Sequence, residues 1–313
     1  MENYGLVIRT LRKQRGMTQA ELAGDVCSLK HLYSIERGIR TPSGYMLAQL
    51  GRKLEVNLFD YMPYLDCADP VAMKEAMDRM SKYRRQLRYR RLMRLRKEFE
   101  CIEDFRRPPW CYELDLNEYT TRIVAGDHLA QQEQKIRLQL AAVEQDYLNE
   151  PVCLEIQTVL ALCLMAESRC KEALPLMEDV LERSAVTLLA PGGREYHLLF
   201  RIIDMVICFN DGQYQEAIEK SRIIERLEKE WNLFEMGYFW PFVRAASHAA
   251  LGRRQESLEA YLHGICLCLS VPRDWALSVI CSFIGLRDLS ARYRSDHPLV
   301  AQFLSRYPFL RED

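Results

Sequence analysis

No apolar run in this 313-residue sequence reaches the ~18 residues that a membrane-spanning helix needs, so no membrane role is expected. The first turns carry a charge every few residues, unlike a secretory signal. Glycine (14) and proline (12) are sparse, which excludes collagen-like and low-complexity architectures. The eleven cysteines stand singly with no Cys-x-x-Cys pair, Cys266 and Cys268 being the closest. That spacing argues against a zinc site or a disulfide framework and suits free thiols in a reducing cytoplasm. No HExxH, GxSxG, P-loop or GxGxxG pattern occurs, and the six histidines are dispersed, so neither an enzyme nor a cofactor is expected. Sustained apolar alternation is also missing, which leaves an all-α chain.

The charge that is present is unevenly distributed. Residues 1–107 carry 22 Lys+Arg against 14 Asp+Glu, and the rest carries 21 against 30. A basic front on an acidic body points to a polyanion partner for the front. Within that front, Leu6, Ile8 and Leu11 open an amphipathic helix that Gly16 ends. Thr18 and Glu21 then form a capping box for a short helix with Leu22, Ala23 and Val26 inward. After the Cys27-Ser28 turn, Ser28 caps a third helix whose inward residues are Leu32 and Ile35. Gly38 stops it, and Pro42-Ser43 restarts a helix with Met46, Leu47, Leu50 and Leu54 inward.

The run from Leu11 through Thr18-Gln19-Ala20-Glu21-Leu22-Ala23 to Ile35-Glu36-Arg37-Gly38 and Pro42-Ser43 resembles the phage-repressor type of helix-turn-helix. It covers about residues 5–60, within a domain expected at 1–66. The Val26-Cys27-Ser28 turn is one residue shorter than in phage repressors, and resembles the turn of Gram-positive peptide-responsive regulators. The third helix of such a unit enters the major groove. With Leu32 and Ile35 inward, Leu29, Lys30, Tyr33 and Ser34 face outward, and Ser28 and His31 flank them. The resemblance puts Leu29, Lys30 and Ser34 at base-reading positions; Lys30 suits a guanine, and Leu29 replaces a usual polar residue and suits a thymine methyl. Arg12, Gln19, Arg37, Arg40 and Thr41 would hold phosphates. Glu36 is read as structural, since phosphate repels it.

Beyond a short link, residues 67–313 read as helices. Glu172-Ala173-Leu174, Glu216-Ala217-Ile218 and Glu256-Ser257-Leu258 recur at helix starts, the last two after turns at Gly212 and Gly252. Turn positions 87, 126, 168, 212 and 252 then define about five pairs resembling tetratricopeptide repeats, with a closing segment from Trp275 to Leu310 acting as a C-terminal cap. Such an array is superhelical with a concave face. Aligned on Ala173, Ala217 and Ser257, that face would present Glu155, Thr158, Leu162 and Met165, then Leu199, Ile202, Val206, Phe209 and Asn210, then Phe239, Phe242 and Ala246. This apolar lining suits a short hydrophobic peptide, with Asn210 pairing its backbone. The same residues also fit a plain helical core, and Asn210 a helix cap. Arg201 and Asp204 read as an intrahelical ion pair or as ligand contacts. The Arg-rich stretch 82–97 fits a DNA contact, a solvated helix, or a site where Arg84 and Arg85 hold a ligand carboxylate.

A helix-turn-helix followed by helical repeats resembles the peptide-responsive regulators of Gram-positive bacteria, the Rgg, PlcR and PrgX types. That resemblance implies a cytoplasmic homodimer on paired half-sites of double-stranded DNA, and a re-imported signalling peptide in the repeat groove that alters DNA binding (quorum sensing). A regulator whose repeats bind a protein partner or only dimerise is the alternative. A repeat-based enzyme inhibitor with a vestigial head is a third reading.

Overall fold

Tyr4, Val7, Ile8 and Leu11 share one face of α1 (Tyr4–Gln14), and it is Val7, not the expected Leu6, that is fully buried there. The computed structural model describes residues 4–85, 88–189, 192–233, 239–270, 284–294 and 297–310, and every regular element among them is helical. After α1 come α2 (Gln19–Ala23), α3 (Leu29–Glu36), α4 (Gly44–Lys53) and a 3-10 segment (Leu58–Tyr64). Leu22, Leu32, Ile35, Leu50 and Leu54 join α1 in one core with no measurable exposure. A Cβ on Gly5 would fall on the Ile35 carbonyl oxygen, so the lack of a side chain there lets α1 lie directly against α3.

Two compact units make up the chain, residues 1–85 with 94–111, and residues 86–93 with 112–313. The boundary expected at 66/67 therefore falls inside the first unit. Val71 of α5 (Pro70–Arg85) joins the head core. Asp104 accepts from the Ala68 amide at 3.0 Å and pairs with Arg107 at 2.5 Å, tying residues beyond 100 to the chain after the head. The helix α6 (Tyr89–Phe99) follows α5, and the turn expected at residue 87 lies outside the described residues.

The second unit contains four helix pairs among the described residues. They are α7 (Trp110–Val124) with α8 (Leu129–Ala142), α9 (Pro151–Ala166) with α10 (Cys170–Val186), α11 (Gly193–Asn210) with α12 (Tyr214–Trp231), and α13 (Phe239–Ala250) with α14 (Arg254–Ser270). Each pair is joined by the same turn. A left-handed residue (Gly126, Ser168, Gly212 or Gly252) sits between two reversed hydrogen bonds that close the last helical turn. The longer bond runs from the next amide back five residues: Asp127 to Arg122, Arg169 to Leu164, Gln213 to Cys208, and Arg253 to His248, all at 2.8–3.0 Å. Ala173, Ala217 and Ser257, the small residues used to align the repeats, have no exposed surface. Among its described residues the closing segment holds two short helices, α15 (Leu286–Arg292) and α16 (Pro298–Arg306), where one capping helix was expected; Trp275 lies outside those residues.

Candidate nucleic-acid interface and repeat face

The geometry of the head follows from its caps. Thr18 Oγ1 accepts from the Glu21 amide at 3.2 Å, and Glu21 returns the bond by accepting from the Thr18 amide at 2.6 Å. Ser28 Oγ accepts from the His31 amide at 3.2 Å, so α3 starts at a fixed residue. Leu32 and Ile35 anchor α3 inward, and Leu29, Lys30 and Tyr33 project from its exposed side, Leu29 with 52% of its surface free. Ser34 is half-buried and donates to the Lys30 carbonyl at 2.9 Å. His31 Nδ1 lies 3.4 Å from Arg40, and Arg37 donates to the Tyr33 hydroxyl at 3.0 Å with its cation over the same ring. Arg40 and Thr41 are exposed.

Arg12 is placed differently from the sequence expectation. It is buried, and it donates from Nε and Nη2 to the two oxygens of Glu36 at 2.7 and 3.0 Å and from Nη1 to the Met17 carbonyl at 2.8 Å. All three edges of the guanidinium are occupied, so Arg12 joins α1 to α3 rather than reaching for a phosphate. The hydrogen bond to Glu36 raises its pKa above the ordinary arginine value. Gln19 also donates to Glu36, at 2.8 Å, which fixes the start of α2 on the same carboxylate.

The residues expected to line a repeat groove divide into two sets. Glu155, Leu162, Leu199, Phe209 and Phe239 are half-buried and Asn210 is exposed. Met165, Val206 and Ala246 keep 7–8% of their surface. Thr158, Ile202 and Phe242 belong to the interior instead: Thr158 donates to the Leu154 carbonyl, and Phe242 packs on Tyr261, Phe303 and the bare Cα of Gly264. Asn210 donates to the Val206 carbonyl at 2.8 Å, the capping alternative, although its surface is open. Arg84 is half-buried, and the Arg85 side chain lies outside the described residues.

Arg201 and Asp204 do not pair along their helix. Asp204 accepts from Lys220 of α12 at 2.7 Å, and Arg201 donates to His197 at 2.8 Å. Sequence reasoning missed Lys220, the partner of Asp204 on another helix, and the bond from Arg201 to His197. It likewise missed Trp240, whose indole N–H donates to buried Glu228 at 2.7 Å while Arg244 stacks over the ring at 4.3 Å.

A helix-turn-helix family model matches residues 8–61. A comparison with curated protein sequences finds no match. Bacillus thuringiensis PlcR, solved in complex with the peptide PapR7 and DNA, superposes with a TM-score of 0.68 at 17% identity, covering 90% of this chain and 99% of that one. The apo form of the same protein gives 0.58 at 16%, covering 91% and 100%. ComR from S. thermophilus, solved with DNA and its signalling peptide, gives 0.52 at 14%, covering 90% and 99%. No helix among the described residues is long and apolar enough to cross a membrane. Residues 8–61 are therefore a helix-turn-helix domain, carried by a chain whose fold is that of the PlcR and ComR regulator structures.

Proposed function

We propose that this protein is a sequence-specific DNA-binding transcriptional regulator that acts as a homodimer and answers to a short apolar peptide held by its helical repeats. One observation carries the DNA half: a capped and anchored α3 that leaves Leu29, Lys30 and Tyr33 open to solvent on one side. In this reading Lys30 donates to a guanine edge, Leu29 covers a thymine methyl, and Ser34 is the third base-facing residue. Ser28, His31, Tyr33, Arg37, Arg40, Thr41 and Gln19 hold the helix in register against the backbone. A single head buries too little surface for tight specific binding, so two heads on half-sites ~34 Å apart supply the affinity. The peptide half is supported by a fold shared with two regulators solved with peptides bound, and by the half-buried apolar residues Leu162, Leu199, Phe209 and Phe239.

Fluorescence anisotropy on the protein's own upstream DNA tests both halves at fixed salt, with and without short peptides encoded nearby. Lys30→Glu should lower DNA affinity at least tenfold, the scale of losing one base contact and adding a repelled charge. Unchanged affinity would remove α3 from the interface. A peptide-dependent shift in affinity supports gating, and its loss in Phe209→Ala with DNA binding retained would put the ligand at the repeat face. A second reading, repeats that bind a protein partner or only dimerise, is favoured by the interior placement of Thr158, Ile202 and Phe242 and by the Asn210 amide being engaged with its own helix. Tight DNA binding indifferent to every peptide selects that reading.

A further inference from the structure

The face of α11 that meets α10 and α12 carries an arrangement that the peptide reading does not use. Arg194, His197 and Arg201 lie along it at spacings of three and four residues. His197 contacts Ser184 of α10 and stands edge-on to Trp231 of α12, with ring centroids 6.1 Å apart. Leu199 and Val206, from the expected groove stripe, lie around the helix on its other side.

The hydrogen bonds along this face have a defined direction. Arg201 donates from Nε to His197 Nε2 at 2.8 Å, so the imidazole proton is on Nδ1. Nδ1 then donates to Ser184 Oγ at 2.7 Å, and Ser184 donates to the Leu181 carbonyl at 3.1 Å. Burial and the adjacent Arg201 charge push the His197 pKa down to about 4, so the ring stays neutral and keeps accepting. The guanidinium is thus held by one edge.

Among the described residues its two terminal nitrogens find no hydrogen-bond partner, and no carboxylate comes within ion-pair distance. The nearest acid on the helix, Asp204, is occupied by Lys220. Burial lowers the Arg201 pKa; the negative charge of Asp204 opposes that, and the positive charge of Arg226 on α12 adds to it. Arg194 lies with its cation over Trp231 at 5.7 Å, and neither it nor Arg226 has a carboxylate partner among the described residues. Three arginines with no carboxylate within ion-pair distance among the described residues therefore gather here, in the acidic part of the chain. A half-buried guanidinium whose fork has no acceptor is less favourable than one whose hydrogen bonds are completed.

We propose that this face of α11, flanked by α10 and α12, is an oxyanion-binding site. The terminal nitrogens of Arg201 take the two-oxygen edge of a carboxylate or phosphate group, and Arg226 adds positive charge from the rim. The site lies across α11 from Leu199 and Val206 and stands or falls independently of the peptide reading.

Calorimetric titration of the full-length protein with inorganic phosphate, and separately with citrate, tests this at constant ionic strength against a chloride control. Saturable binding of one of them is expected, and which one binds identifies the source of the oxyanion. Arg201→Lys keeps the charge but loses the planar fork, and should weaken binding roughly tenfold. Arg201→Gln should abolish it. Arg226 is exposed, so Arg226→Gln leaves the fold intact and should weaken binding several-fold. No saturable binding by the wild type overturns the proposal, as does wild-type binding in Arg201→Gln. If Arg201→Gln fails to fold, wild-type binding in Arg226→Gln overturns it instead.

Discussion

The Arg12–Glu36 pair shows how burial changes what a charged residue can do. Both side chains are nearly withdrawn from water, and their bidentate geometry offsets the desolvation that a single buried charge would suffer. Removing one partner strands the other. Arg12→Met is expected to destabilise the head by about 3 kcal/mol, read as lost hydrogen-exchange protection in α1 and α3. Adding Glu36→Leu should restore most of it, because the stranded carboxylate is then gone. Unchanged protection together with weaker DNA binding would return Arg12 to the phosphate contacts. Glu228 is the opposite case: a buried carboxyl given one neutral donor, Trp240, and raised to about 7 by burial. A carboxyl with a raised folded pKa binds more protons folded than unfolded between pH 4.5 and 7, so its contribution to stability falls as pH rises through that window. Glu228→Gln keeps an acceptor for the indole and removes the titration. Its unfolding free energy should therefore gain on the wild type from pH 5 to pH 7, by up to about 3 kcal/mol. Equal pH slopes for the two proteins would show that Glu228 is ionised throughout.

At the scale of elements, the four repeat turns share one hydrogen-bond plan but not one residue. Three use glycine, and the second uses Ser168 at φ +62°. A left-handed residue with a Cβ is strained by about 1 kcal/mol or more, while glycine in its place gives up part of that gain through a freer unfolded chain. Ser168→Gly is therefore expected to raise the stability of the second unit by about 0.5 kcal/mol, seen as a higher denaturant midpoint with an unchanged slope. A lower midpoint would mean that the serine makes a contact worth more than the strain. These turns and the head caps were legible in the sequence because each depends on residues no more than five apart: Thr18 with Glu21, Ser28 with the His31 amide, Gly212 with Cys208 and Gln213. The interior placement of Phe242 was not. Its surroundings come from α14 and α16, tens of residues away, and a helical apolar stripe looks the same whether solvent or another helix faces it.

For the whole molecule, the division of charge sets the conditions under which the head works. With 22 Lys+Arg against 14 Asp+Glu in residues 1–107, counterion release should dominate non-specific DNA affinity, so affinity falls steeply with salt. Arg40 is exposed and beside His31, on the rim of the expected interface. Arg40→Gln should weaken binding about equally on matched and mismatched DNA and shrink the salt slope by about one per half-site. Lys30→Glu should instead flatten the difference between matched and mismatched sites. A salt slope untouched by Arg40→Gln would take that residue off the phosphates.

The sequence by itself determined the helix-turn-helix, its caps, the residues that point outward from α3, and the period of the helix pairs. All of these are set by short-range geometry: a hydroxyl reaching an amide three residues on, an apolar stripe at helical spacing, a turn residue that tolerates positive φ. Only the tertiary structure decided which charges are spent internally. Arg12 closes on Glu36 across 24 residues, Asp204 on Lys220 across 16, and the Arg201 fork is left open because His197 takes its Nε. Ion pairing is fixed by distances of a few ångströms between elements that the order of residues does not give, so a charge that looks free or paired along the chain can be the reverse once the helices pack.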